Sequence, residues 1–345
     1  MNSRENVIVC DCKADEIASL CSSLNSKGSV RFSAKSYIAN WKRTGRMSEL
    51  KRYFKYFSVA WKYFLHRKRY DTVIGWQQFY ALIFSFYCSV FHVKKQNTLI
   101  ALNFTYKEKS GKIGRVYHWF MRKCVDVRYL DYIHVPSQNY AEETSRVLNF
   151  PLERIIVIPF GINDPYERFV KLPYPESAPK EGYALSIGRS NRDFEFLMRS
   201  WESVQYPLVI ISDTYSGPCP ENPNIRIIKD VAGEQSYPWI AHCKAMIIPI
   251  DDGRICSGDT VLLTSMAMRK KVLVTGLSTL AEMYVVHEEN GLVCEKDEVM
   301  FRTYISDMLF TDRYDGLEEA SRESYLQNYS RASMGTRVYD CVFGS

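Results

Sequence analysis

The sequence contains no long apolar run, no metal-type spacing of Cys or His, and no internal repeat. Its longest apolar-rich segment, FYALIFSFYCSVFHV (79–93), is shorter than the ~20 residues that a membrane-spanning helix needs. The closest cysteines, Cys10 and Cys12, are too near each other for a zinc knuckle. The first residues, MNSRENVIVCDC, lack a basic-then-apolar leader, so we expect a cytoplasmic chain with reduced thiols.

The length and charge of the chain predict two dissimilar domains. With 345 residues, the chain exceeds the usual size of a single hydrophobic core. The net charge of +6 hides an asymmetry, because residues 1–150 hold 25 Lys or Arg against 11 Asp or Glu. The basic half is therefore expected to face an anionic partner, such as phosphate, lipid headgroups or nucleic acid.

Short apolar runs alternate with segments of helical length along the whole chain. This pattern is typical of parallel strands that helices cover on both faces. It predicts an α/β protein with two doubly wound, Rossmann-like domains. A segment with four prolines (160–182) separates the two series. We place the first domain at 1–165 and the second at 166–329, and expect a C-terminal helix (330–345) to pack back on the first. The predicted strands are NVIVC (6–10), TVIG (72–75), TLIAL (98–102), YIHV (132–135), RIIVIP (154–159), YALSIG (183–188), PLVIIS (207–212), IRII (225–228), AMIIP (245–249) and VLVTG (272–276).

Two segments of the first half have membrane-like features. Segment 79–93 is interpreted as a buried helix of the first domain. Segment 47–70 places aromatic residues at helical spacing among Lys and Arg side chains, with a single Glu. That composition is typical of a helix lying in an anionic membrane interface. A solvated helix that packs its aromatic stripe on the core is the alternative.

Two loops of the second half have features of a phosphate site. Gly188 follows a predicted strand, and Arg189 and Arg192 lie beside the next helix start. A pairing of Arg189 with Asp193 is the alternative. The second loop precedes another helix and contains Ser257, Gly258, Asp259 and Thr260, where free N–H groups favour an anion. Either Ser257 or Asp259 acting as a helix cap is the alternative there.

In this order, these elements resemble the retaining GT-B glycosyltransferases of family four, the glycogen-synthase-like group, of bacterial surface-polysaccharide type. The resemblance runs over most of the chain. It implies a GT-B architecture with a cleft between the two domains. The segments that carry it are Gly188-Arg189, NIRIIKDVAG, AMIIP, CSGDTVLLTSMAMRKKVLVTG, LAEMYVVHEENGLV and, in the first half, IHVPSQNYAEETSRVLNFPLERIIVIPFGIND.

The resemblance implies a glycosyltransferase that moves a sugar from a nucleotide diphosphate sugar to a hydroxyl of a glycan or lipid-linked acceptor. It further implies retention of configuration, no metal and no cofactor, with Arg189 and Arg192 stabilising the leaving diphosphate. Cys256 and Thr264 occupy the positions of the two glutamates that contact the transferred sugar and the ribose in the family. The implied donor-binding residues are Gly188, Asp213, Val231, Asp252, Cys256, Ser257, Gly258, Asp259, Thr260 and Thr264.

The first domain is expected to bind the acceptor. Trp76 and Gln77 follow the strand TVIG, and Asn103 and Thr105 follow TLIAL, where doubly wound sheets bind ligands. Trp76 is interpreted either as a sugar-stacking residue or as a core or hinge residue. His118 is a candidate base, because family members often have a histidine in this domain.

Two other functions stay open at this point. The missing glutamates are consistent with an inactive binding partner of GT-B fold, and the basic half with a nucleic-acid-binding protein. No zinc, RNA-binding or helix-turn-helix signature supports the second. The predicted location is the cytoplasm, with peripheral attachment to the inner face of the plasma membrane through residues 47–70.

Overall fold

In a computed structural model, the chain divides into two units. Unit 1 comprises residues 1–163 and 331–345, and unit 2 comprises residues 164–330. The structure describes residues 4–28, 30–38, 46–218, 220–231, 233–255 and 257–344, except for the side chain of Arg46.

Unit 1 is built on a six-stranded, fully parallel sheet in the order β2-β1-β3-β4-β5-β6. Its strands are β1 (Glu5–Cys10), β2 (Phe32–Ser36), β3 (Tyr70–Gly75), β4 (Thr98–Ala101), β5 (Tyr132–Val135) and β6 (Ile155–Val157). Its first helices are α1 (Ala18–Ser26), α2 (Arg46–Leu65), α3 (Phe79–Val90), α4 (Gly111–Cys124) and α5 (Gln138–Leu148).

Unit 2 repeats this plan with a second parallel sheet in the order β12-β11-β10-β7-β8-β9. Its strands are β7 (Ala184–Ile187), β8 (Leu208–Ile211), β9 (Ile225–Ile228), β10 (Ala245–Ile248), β11 (Lys271–Thr275) and β12 (Leu292–Cys294). Its helices are α6 (Tyr166–Phe169), α7 (Phe194–Ser200), α8 (Tyr237–His242), α9 (Asp259–Ala267), α10 (Thr279–Tyr284), α11 (Glu298–Phe310) and α12 (Leu317–Ser324). The last helix, α13 (Arg331–Phe343), belongs to unit 1.

Alternation along the strands explains why helices cover both faces of the first sheet. In β1, Val7 and Val9 join the core under α2 to α5, whereas Ile8 and Cys10 join the core under α1 and α13. A strand that is apolar on both sides must be covered on both sides. The predicted fold class, two doubly wound parallel sheets, is confirmed.

All ten predicted strands are confirmed, but two edge strands were missed. β2 has a single buried residue, Phe32, and its other positions are exposed or half-buried. β12 has only three residues. An edge strand has one neighbour, so it requires less apolar surface and leaves a weaker pattern in the sequence.

Helices α2 and α3 differ in how they use their apolar residues. The prediction of a buried helix is confirmed for α3, which buries most of its length. α2 has two apolar stripes, one packed on the core, as the alternative interpretation expects, and one exposed. Tyr56 and Tyr63 are buried in the core of unit 1, whereas the side chain of Phe54 is 76% exposed. No helix within the described residues has both the length and the apolar composition to traverse a bilayer.

The packing of α13 on α1 yields a stability prediction. A Cβ on Gly335 would lie 2.6 Å from the carbonyl oxygen of Leu20 in α1. We expect Gly335→Ala to lower the free energy of unfolding of unit 1 by about 1–3 kcal/mol, because backbone must shift to admit the methyl group. Urea unfolding followed by circular dichroism measures this change.

Cys341→Ala, at an exposed position of α13, is the control and should leave the unfolding midpoint unchanged. Intrinsic helix propensity alone would make Gly335→Ala stabilising by about 1 kcal/mol. A stabilised variant would therefore show that α13 does not pack on Leu20.

Candidate functional site

The order of strands in unit 2 locates a cleft at the carboxyl edge of its sheet. β8 and β9 lie on one side of β7, and β10 to β12 lie on the other, so the winding direction reverses between β7 and β10. Doubly wound sheets bind ligands at this switch point. The predicted phosphate residues lie here: Gly188, Arg189 and Arg192 follow β7, and Ser257 to Thr260 lie between β10 and the first turn of α9.

The Arg192 side chain lies between these two loops. Its Nη1 donates to the hydroxyl of Ser257 (3.2 Å) and to the carbonyl of Asn191 (3.1 Å). A Cβ on Gly188 would lie 2.4 Å from Arg192 Cγ, and a Cβ on Gly258 would lie 2.4 Å from its Nη2. Burial lowers the pKa of Arg192 to about 10, and nearby Asp259 opposes that shift. The guanidinium is therefore a fixed, partly desolvated positive charge at neutral pH.

Arg189, in contrast, extends from the carboxyl end of β7 into solvent. Its side chain is 73% exposed, and its Nε lies 3.9 Å from Oδ2 of Asp213, which follows β8. Asp193 does not pair with Arg189; it caps α7 by accepting from Phe196 N (3.0 Å) and contacts Lys296 Nζ at 2.7 Å. Of the two predicted arginines, Arg189 is thus the exposed one and Arg192 is the fixed one.

Helix α9 begins at this edge without a side-chain cap from any described residue. Gly258 occupies the N-cap position with φ of +99°, so the expectation of Ser257 or Asp259 as cap is wrong. Ser257 cannot serve because its hydroxyl already accepts from Arg192 and Asn191. The first backbone bond of the helix runs from Leu262 N to Gly258 O (2.8 Å). The backbone N–H groups of residues 259–261 come before this first hydrogen bond, so they have no acceptor within the helix. Such N–H groups at the start of a helix favour a bound anion.

Asn191 organises the two loops, and the sequence analysis did not select it. Its Nδ2 donates to the carbonyls of Asp252 (3.0 Å) and Ile255 (3.2 Å), and its Oδ1 accepts from Asp252 N (2.7 Å). It has a left-handed backbone with φ of +55°, a conformation that asparagine tolerates better than most residues. That tolerance is the signal that marks Asn191 in the segment GRSNRD.

The other predicted donor residues have varied surroundings. Asp252 accepts from the Arg254 side chain, and these hydrogen bonds lower its pKa to about 2. Thr264 is buried in the middle of α9, and Val231 is half-buried in the loop after β9. Cys256 lies outside the described residues. Asp252 and Val231 share the carboxyl edge with the arginines, and Thr264 lies further along α9.

In unit 1, the switch point lies between β1 and β3, and Trp76 follows β3 there. The indole is buried, and the guanidinium of Arg331 lies 4.8 Å above its ring. The backbone of Arg331 also donates to the carbonyl of Ile162 at 2.9 Å. Trp76 therefore has the surroundings of a core residue, with a cation covering one ring face.

Asn103 and Thr105 are held beside Trp76 by hydrogen bonds. Asn103 Nδ2 donates to the Trp76 carbonyl (3.1 Å), and its buried Oδ1 has no partner among the described atoms. Gln78 Nε2 donates to Thr105 Oγ1 at 3.0 Å, whereas Gln77 accepts from the Phe79 backbone at 2.7 Å. The four predicted acceptor residues thus belong to connected loops at one edge of the sheet, after β3 (Trp76 and Gln77) and after β4 (Asn103 and Thr105).

His118 lies on α4, as predicted, but in a separate pocket. Its Nδ1 is 2.9 Å from Tyr106 Oη. The pocket has a volume of about 740 Å³ and is lined by Arg115 and Arg122, among other residues. His118 therefore shares its pocket with cationic side chains.

His134 is a buried histidine that the sequence analysis treated only as part of a strand. Its Nδ1 accepts from Asn103 N (3.1 Å), and its Nε2 donates to the Ile158 carbonyl (2.8 Å). These two bonds together require the neutral tautomer with hydrogen on Nε2. A polar residue inside the apolar run YIHV is the signal for this arrangement.

Comparison with known proteins identifies the fold. No protein-family model and no curated protein sequence matches the chain. A glycosyltransferase from Rickettsia africae ESF-5 matches with a TM-score of 0.61 and 13% identity, over 100% of both chains. HepE from Anabaena, solved in complex with UDP, matches with a TM-score of 0.61 and 10% identity, over 99% of this chain and 100% of its own. WaaG, a glycosyltransferase involved in lipopolysaccharide biosynthesis, matches with a TM-score of 0.57 and 13% identity, over 98% and 100%. At these identities the likeness establishes the fold, which is GT-B.

The environment of His134 predicts an unusual titration. Burial lowers its pKa to about 4, below the ~6.5 of an unperturbed histidine. As the pH falls, His134 is therefore protonated in the unfolded chain before it is protonated in the folded chain. The contribution of neutral, buried His134 to the free energy of unfolding is complete above about pH 6.5 and is lost as the pH falls toward 4.

Nuclear magnetic resonance measures this titration directly. We expect the His134 ring signals, assigned by their absence in His134→Gln, to stay constant from pH 7 down to about 5. Titration of those signals near pH 6.5 would contradict the buried, neutral His134.

Proposed function

We propose that the chain is a glycosyltransferase, a hexosyltransferase of GT-B fold, that takes its sugar from a nucleotide diphosphate sugar. The observation that carries the proposal is the convergence of three positive elements at the switch point of the second sheet. Arg189 is exposed there, Arg192 is fixed by Ser257, and α9 begins at Gly258 with no side-chain cap from the described residues. A diphosphate matches this arrangement, because guanidinium groups and helix N-termini both bind phosphate oxygens.

In the proposed reaction, the bond between the anomeric carbon and the diphosphate oxygen breaks, and its electron pair stays on the diphosphate. An acceptor hydroxyl forms the new bond on the same face of the sugar, and its proton passes to the departing phosphate oxygen. Configuration is thereby retained. Arg192 needs little reorganisation to stabilise the growing negative charge, because its position is already fixed. These cationic groups support a reaction without a metal or another cofactor.

The solved neighbours support a nucleotide donor. HepE from Anabaena has been solved with UDP and with UDP-glucose. A uridine diphosphate sugar is therefore the first donor to test. In our proposal, this donor contacts Gly188, Asp213, Val231, Asp252, Cys256 and the residues from Ser257 to Thr260. Thr264, whose backbone is in the middle of α9, would reach it only through its hydroxyl.

The acceptor is assigned to unit 1, at the carboxyl edge that holds Trp76, Gln77, Asn103 and Thr105. The orphan Oδ1 of Asn103 supports this assignment, because a buried acceptor without a partner gains most from a ligand hydroxyl. His118, whose ring is fixed by its bond to Tyr106, is the candidate base for an alternative route, in which the acceptor proton passes to a side chain instead of the departing phosphate oxygen. The proposed acceptor is a glycan or a lipid-linked saccharide, used at the cytoplasmic face of a membrane.

Arg189→Ala tests the diphosphate contact. We expect UDP binding to weaken by about tenfold to a hundredfold, because a hydrogen bond between charged groups contributes about 1.5–3 kcal/mol. Uridine binding should change little. Isothermal titration calorimetry with UDP and uridine measures both.

Arg313→Ala is the matched control, since Arg313 is exposed and follows α11, at the opposite edge of the sheet. Equal loss of UDP and uridine binding in Arg189→Ala would remove Arg189 from the diphosphate site.

The burial of Thr264 at a position where the family has a glutamate favours one second candidate, an inactive binding partner of GT-B fold. Incubation with radiolabelled nucleotide sugars and membrane extract separates the two. Transfer of label supports the enzyme. Absence of transfer, together with absence of nucleotide protection against thermal unfolding, supports the inactive partner.

Peripheral membrane attachment is assigned to α2, whose second apolar stripe contains Leu50, Phe54 and Leu65 and is flanked by basic side chains. We expect Lys51→Glu with Lys62→Glu to reduce co-sedimentation with anionic vesicles at least about tenfold, since each surface lysine contributes about 1 kcal/mol.

Lys180→Glu with Lys229→Glu changes the net charge equally in unit 2 and is the control. Unchanged co-sedimentation of the α2 variant would remove this helix from the membrane contact.

A further inference from the structure

Helix α4 separates two cavities of opposite character in unit 1. One is an apolar groove of about 500 Å³ between α2, α3 and α4. Its aromatic walls include Phe57 and Phe120, whose ring centroids are 5.8 Å apart, and its floor includes the buried Ile83. Two outward side chains of α4, Ile113 (77% exposed) and Val116 (66% exposed), form its outer edge.

The other cavity is the His118 pocket described above, which is mainly cationic. Two acidic side chains also line it, Glu108 and Asp126. Asp126 is already paired with Arg128 at 2.6 Å, so only Glu108 opposes the positive charge directly. The positive side chains that line the pocket are Lys109, Arg115, Arg122 and Lys123.

The two cavities share Lys109 as a lining residue. Its Nζ lies 4.5 Å above the ring of Tyr117, and that ring stacks on Tyr106 at 5.6 Å. Gly114 lets the backbone of Lys109 lie against α4, because a Cβ there would be 1.7 Å from the Lys109 carbonyl oxygen. An ammonium group is therefore held at the junction between a polar pocket and an apolar groove.

We propose that α4 binds one phosphate-bearing lipid, with its phosphate or diphosphate in the cationic pocket and its chain in the apolar groove. Charge complementarity selects the headgroup, and apolar burial selects the chain. A flat bilayer would contact only the outward side chains, whereas the aromatic walls and Ile83 are reached by a chain that leaves the leaflet. The inference deepens the proposed function, on which its meaning rests, by identifying the carrier of the acceptor saccharide as a lipid phosphate or lipid diphosphate.

Binding of farnesyl phosphate, kept below its micellar concentration, tests the inference by calorimetry. Wild-type protein should bind it at least about tenfold more tightly than either farnesol or inorganic phosphate, because only the amphiphile fills both cavities. Equal affinity for farnesyl phosphate and inorganic phosphate would overturn the inference without any variant.

Two adjacent substitutions on α4 separate the cavities. Val116→Glu places a charge in the groove and should weaken farnesyl phosphate and farnesol, but not inorganic phosphate. Arg115→Glu should weaken farnesyl phosphate and inorganic phosphate, but not farnesol. Val299→Glu, at a 70% exposed position of α11 in unit 2, is the control and should change none of them.

Two further outcomes would overturn the inference. If Val116→Glu reduced binding to anionic phospholipid vesicles but left farnesyl phosphate unchanged, the groove would be a bilayer contact. If the α4 variants bound every probe like wild type, the cavities would not form one site. Binding of UDP is measured on the same samples. If the wild-type protein bound farnesyl phosphate but not UDP, the result would count against the proposed donor. If it bound UDP but not farnesyl phosphate, the result would count against this lipid site alone.

Discussion

The structure depends on one constraint, the burial of both faces of each parallel sheet. Because strands such as β1 and β10 are apolar on both sides, helices must cover both faces, and each chain segment must return before the next strand. All strands of a sheet then point the same way. Their carboxyl-end loops, and therefore the polar and charged residues of those loops, gather at one edge.

At the carboxyl edge of the second sheet, the partly desolvated guanidinium of Arg192 lies between the loops after β7 and β10 and holds them together. Burial of a charge is costly unless hydrogen bonds compensate it. The carbonyl of Asn191 and the hydroxyl of Ser257 provide them, and Gly188 and Gly258 leave the space. The same contacts that stabilise the charge also fix the start of α9. A site of this kind is organised before any ligand arrives.

Unit 1 uses its charge differently, because many of its basic residues lie along α2 and α4. α2 and α4 each pack one stripe on the core and present another outward. Part of the positive charge of the first half therefore lies on a surface with exposed apolar side chains, and part lies in the pocket beside His118. The exposed apolar side chains next to these charges distinguish this surface from an ordinary solvated helix.

The sequence by itself determined the features that depend on local patterns. Apolar runs predicted ten strands and the fold class, and a glycine beside arginine or serine at predicted helix starts predicted the loops of Gly188 and Gly258. It did not predict β2 or β12, since short edge strands require little apolar surface. Only the tertiary structure decided that Gly258 occupies the N-cap position of α9 and that Asn191 joins two loops. The same holds for the pairing of Lys296 with Asp193 and for the groove between α2, α3 and α4. These contacts join residues far apart in the chain, and spacing in a sequence carries no record of which distant side chains the fold brings together.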